Sequence, residues 1–90
     1  MVNVEAMLNA SGLVMAEIKA AETEHPSWPE DRVHQAAIVA GEATELFRVA
    51  MEGRQGSESI DKIRLQAIQT GATAIRLLMN LPGEVEEDGG

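Results

Sequence analysis

The sequence predicts an all-α protein organised around an antiparallel helical hairpin. Apolar residues recur at three- and four-residue intervals in three segments, over about residues 3–22, 31–52 and 57–80. No segment alternates apolar with polar residues as a half-buried strand would. The segments are divided by helix-stopping residues: Pro26 and Pro29 after the first, Gly53 and Gly56 after the second.

In the first helix Val4, Met7, Leu8, Val14, Met15 and Ile18 fall along one stripe. The following loop, EHPSWPED, is stiffened by its two prolines, and Trp28 within it is expected to plug the loop onto the core. Glu30 or Asp31 starts the second helix, where the N-terminal dipole favours acids, and Gly53 ends it. Ser57 is placed to cap the third helix, with Glu58 in its first turn; the helix ends at Asn80, before Leu81, Pro82 and Gly83. Residues 1–82 read as a single domain and 83–90, GEVEEDGG, as a disordered acidic tail.

Composition narrows the function. The 90 residues include one Trp, one Phe, no Tyr and five Met, so the core must be built mainly from aliphatic side chains. A chain this small buries only about 60% of its unfolded surface, and with no Cys it has no disulfide to support it. A second copy or a bound ligand is the expected support. The net charge of −8 argues against a nucleic-acid polymer or an anionic membrane as partner. No leader and no spanning segment is visible, which makes a soluble cytoplasmic protein the expectation.

The most informative local pattern lies in the second helix. With about 100° per residue, Glu45 falls about 60° from Glu42, and Ile38, Leu46, Val39 and Val49 lie within about 60° of Glu42. Two glutamates in an apolar neighbourhood need a cation, a basic partner or shared protons. The third helix carries a polar seam, Lys62, Gln66, Gln69, Thr73 and Arg76, at alternating four- and three-residue spacing. In an antiparallel hairpin closed by a short turn, facing residues have numbers that sum to about 110. Glu45 is then opposite Gln66, Glu42 opposite Gln69, and His34 opposite Arg76. The expected result is a polar pocket lined by His34, Glu42, Glu45, Gln66, Gln69, Thr73 and Arg76. Several of these residues also have ordinary readings: His34 as a packed or capping histidine, Gln66 and Gln69 as mutually satisfied amides, Lys62 and Arg76 as salt-bridge partners of Glu42, Glu45 or Glu52.

HPSWPEDRVHQAAIVAGEATELFRVAMEG, followed by a turn and RLQAIQTGATAIRLL, resembles the MazG-like branch of the all-α NTP pyrophosphohydrolases over about residues 24–80. The GEATEL run is the most specific part. In that family E-x-x-E on one helix and E-x-x-D on the next hold Mg²⁺, which activates water to convert a nucleoside triphosphate to a monophosphate and pyrophosphate. Hard oxygen ligands at helical i, i+3 spacing suit that ion.

The resemblance implies that Glu42 and Glu45 are the catalytic pair and metal ligands. The second acidic pair falls on Gln66 and Gln69, neutral amides, of which Gln69 is the remaining candidate ligand for Mg²⁺ or Mn²⁺. His34, Lys62, Gln66, Gln69, Thr73 and Arg76 are implied to contact the nucleotide, and a homodimer or homotetramer is implied as the assembly. A literal E-x-x-D at Glu58 and Asp61 lies about two turns from Glu42 and Glu45 and fits the start of its helix better. Three activities remain open at this level: a Mg²⁺-dependent pyrophosphohydrolase, a nucleotide-binding protein without turnover, and a structural helical oligomer.

Overall fold

The computed structural model describes residues 2–53 and 58–82. Among them the chain forms three helices and no strand: α1 (Val4–Glu24), α2 (Arg32–Glu52) and α3 (Glu58–Asn80). The Ser57 cap and the 83–90 tail lie outside the described residues.

The ends of α1 and α2 have chemical causes. Asn3 caps α1, its side-chain oxygen accepting the Ala6 N–H at 3.0 Å. The helix runs two residues beyond the predicted boundary, to Glu24, and closes with the His25 N–H donating to Ala21 before Pro26 interrupts the backbone donors. Asp31 is the cap of α2, accepting the His34 N–H at 2.9 Å, and Gly53 closes that helix by donating to Val49. Pro82 follows the end of α3.

The third helix is the centre of the fold. It packs against both α1 and α2, while the backbones of α1 and α2 stay apart. Gln66 and Thr70 meet Glu42, and Arg76 further along α3 meets Trp28 just before α2, so α2 and α3 run antiparallel about the predicted register. Gly71 stands against Val14 and Arg76 against Glu22, so α1 runs parallel to α3. Gly71 and Ala72 are small enough to let α1 come close. The result is an open trough, with α3 as its floor and α1 and α2 as its walls.

Little of the apolar surface is covered. Among the described residues, those buried are Ile18 and Ala72, with the polar Gln35 and Arg76. In the predicted α1 stripe, Val14 and Ile18 pack inward while Val4, Met7, Leu8 and Met15 stay exposed. The reason is that α1 meets α3 through its C-terminal half. Trp28 behaves as predicted, half-buried where the loop meets α3. No described helix is long and apolar enough to cross a membrane.

Candidate functional site

The trough closes at one end into a cavity of about 560 Å³. From α1, Glu17, Ala21 and Glu24 face it at i, i+4 and i+7, one side of a helix. From α2 come Ile38 and Glu42, and from α3 Gln69, Ala72, Thr73 and Arg76. The connecting loop supplies His25, Ser27, Trp28 and Pro29 as the end wall. Three carboxylates therefore share the cavity with one guanidinium.

Glu42 is held from α3. The Gln66 side-chain amide donates to its carboxylate at 2.7 Å and approaches its backbone carbonyl at 3.2 Å. The Thr70 hydroxyl lies 3.2 Å from the same carbonyl and 2.8 Å from the Gln66 carbonyl, its single proton serving one at a time. Residues 66 and 70 straddle 68, and 42 plus 68 is 110, the sum expected from the turn. Sequence reasoning paired Glu42 with Gln69; the hydrogen bonds fall to its neighbours on either side, and Gln69 lines the cavity instead.

Arg76 is the buried cation. Its guanidinium stacks 4.7 Å from the Trp28 ring centroid and donates to the His25 carbonyl at 2.9 Å. Glu22 stands 3.6 Å from its Nε, near enough for charge attraction but too far for a hydrogen bond, and that nitrogen has no other partner. The Thr73 hydroxyl turns back to the Thr70 carbonyl at 3.0 Å.

Glu45 is directed elsewhere. Arg48 grips its carboxylate through two nitrogens and reaches Glu52 as well, so all three charges form an exposed ladder along α2. The hydrogen bond from Arg48 holds the Glu45 carboxyl below the usual carboxylate range; desolvation opposes it, and the attraction of the Arg48 charge adds to it. The three-residue step that brings Glu45 near Glu42 in sequence also turns it about 60° around the helix, to the side where Arg48 waits. His34 and Lys62 are exposed and do not line the cavity; Gln35 takes the inward position, donating to the Pro29 carbonyl at 2.6 Å. Asp61, of the literal E-x-x-D, pairs with Arg64 at 2.8 Å and stands apart from the cavity.

Sequence reasoning missed Glu17 and Glu24. Their i, i+7 spacing around Ala21 was the available signal, but it takes the α1–α3 packing to turn that face inward. Tested as a metal centre, the donor set offers Glu42 and Gln69 as hard oxygen ligands on one cavity. Among the described residues no three His, Asp or Glu side chains converge as a chelating group.

No family model, curated protein or solved structure matches this chain. The functional reading therefore rests on the residues and their geometry.

Proposed function

We propose that the chain is a nucleotide pyrophosphohydrolase that takes a nucleoside triphosphate, or a related nucleotide, with Mg²⁺ into the α1–α2–α3 cavity and releases the monophosphate and pyrophosphate. The observation that carries this reading is Glu42. It is a half-buried carboxylate in the GEATEL run, oriented by a neighbouring helix, on the wall of a cavity in the ~300–1,000 Å³ range of small-molecule sites.

The divalent cation, when bound, neutralises phosphate charge and lowers the pKa of a coordinated water. The chain's own residues do the rest. Glu42 and Gln69 offer oxygen ligands from facing helices. Arg76 lies on the wall where phosphate oxygens would seek donors, and the Thr73 hydroxyl would serve them only by leaving the Thr70 carbonyl. Trp28 and Pro29 limit water at the loop end. Manganese meets the same oxygen preference. Glu45, His34 and Lys62 would enter only by rearrangement or from a neighbouring copy.

Self-association belongs to the same proposal. A second copy, as homodimer or homotetramer, would cover the apolar side chains that one chain leaves in water, Leu8, Phe47 and Leu78 among them. A cytoplasmic setting supplies both nucleotide and Mg²⁺.

One observation favours a second reading, nucleotide binding without turnover: the Glu45 carboxylate is committed to Arg48, and Gln66 and Gln69 bring no charge. A panel of nucleotides assayed for pyrophosphate release, with thermal shift measured in parallel, decides between them. Mg²⁺-dependent release lost in Glu42→Gln supports the hydrolase. Stabilisation without product selects the binding protein. No release and no shift leaves the structural oligomer.

A further inference from the structure

We infer that Gln66 keeps the cavity from holding a divalent cation by itself, so that cation and phosphate ligand load together. The inference rests on the nucleotide reading for the second half of that statement only; the first half concerns the protein and the metal alone.

The geometry behind it is the 2.7 Å contact between the Gln66 amide nitrogen and the Glu42 carboxylate. An amide nitrogen donates and never ligates a cation, so at this distance it occupies a lone pair that a metal would need. It also contributes no negative charge. A second contact, to the Glu42 carbonyl at 3.2 Å, fixes the amide with its nitrogen toward Glu42. Flipping it to offer its oxygen would set two acceptors against each other. Glu42 is therefore oriented, yet shielded on one oxygen.

The other acids do not compensate. Glu17 and Glu24 line the cavity from the opposite wall, but among the described residues no three acidic or histidine side chains converge. Mg²⁺ dehydrates reluctantly and needs several hard oxygens near an octahedral arrangement. Phosphate oxygens would supply the missing ligands. They in turn would meet three carboxylates and one guanidinium, an arrangement that repels a bare polyanion. Each partner thus removes the obstacle to the other, which is a positive coupling of two ligands.

The test is titration of the full chain by calorimetry and by Mn²⁺ electron paramagnetic resonance. It uses Mn²⁺ alone, a non-hydrolysable α,β-methylene triphosphate with chelator, and the two together. In the wild type, Mn²⁺ alone is expected to bind at least about tenfold more weakly than with the nucleotide analogue. Gln66→Glu turns the donor into a second carboxylate beside Glu42, and is expected to raise affinity for Mn²⁺ alone by about tenfold or more. Adding Glu42→Gln to that variant should reverse the gain. Tight Mn²⁺ binding by the wild type without nucleotide overturns the inference. So does a folded Gln66→Glu chain, checked by circular dichroism, whose Mn²⁺ affinity is unchanged. If the nucleotide analogue never binds while Gln66→Glu still gains Mn²⁺, the nucleotide reading fails and the role of Gln66 stands.

Discussion

The Arg76 guanidinium lies 4.7 Å from the centre of the Trp28 ring, face to cation, inside the protein. The same guanidinium donates to the His25 carbonyl and faces Glu22. One buried side chain on α3 thus ties down the end of α1 and the proline-bounded loop that closes the cavity. Lysine cannot replace it, having a point charge and no planar fork.

Replacing this clasp should loosen the whole loop end. Arg76→Lys is expected to lower stability by about 1–2 kcal/mol, through lost stacking and a stranded His25 carbonyl. Trp28→Ala should cost about 2–3 kcal/mol, less than a fully buried aromatic because Trp28 is half-exposed. Urea unfolding of both single variants and the double variant checks the pairing. The double should fall short of the sum, since the two side chains share one contact.

Glu42→Gln separates chemistry from folding. The substituted side chain retains an oxygen to accept the Gln66 amide, so stability should change by less than about 1 kcal/mol. Nucleotide binding in the presence of Mg²⁺ should be lost, as read by calorimetry. Lys62→Ala, outside the cavity wall, should leave that binding unchanged.

Glu45 gives a pH prediction with a definite sign. Its carboxyl is held below its ordinary value, first by the Arg48 hydrogen bond. A depressed folded-state pKa means the favourable pairing is fully present above that value and is lost as pH falls through the lower, folded-state one. Carboxyl carbon NMR of Glu45 should show a midpoint below the usual carboxylate range. Arg48→Met should move it upward. Added salt should move it the same way, because the pair is exposed.

Assembly is tested at α1. Val4, Leu8 and Met15 lie on one side of that helix and remain 56%, 62% and 58% exposed. Sedimentation of the wild type should give a mass of two or more chains. Leu8→Asp with Met15→Asp should shift the population toward one chain without loss of helical signal. A wild type that sediments as a single chain removes the second copy from the proposal.

The fold was legible to a large extent, because its signals are local. Pro26, Pro29 and Gly53 divide the chain, and Asn3 and Asp31 start helices by the capping chemistry their side chains provide. The hairpin register followed from the length of one turn. Glu42 as an inward carboxylate could be read from helical phase; its partner could not, because the register paired it with Gln69 and the hydrogen bond comes from Gln66, one turn away. Nor could the direction of Glu45. A step of three residues leaves it within reach of both the hairpin seam and Arg48, and the closer basic group takes it. His34 and Gln35 differ by about 100° in phase, and only the direction of the loop chooses which of them turns inward.

What the residues fix by themselves is where helices begin and end, which two face each other, and that one face carries charge among apolar neighbours. These depend on interactions a few residues long. The path of α1 is a different matter. Its placement parallel to α3, the Glu17 and Glu24 carboxylates it turns into the cavity, and the closure of the loop by Arg76 on Trp28 join residues about fifty positions apart. Such contacts form only when separate helices come together, here with Val14 of α1 against Gly71, and helical period carries no record of which helix packs there.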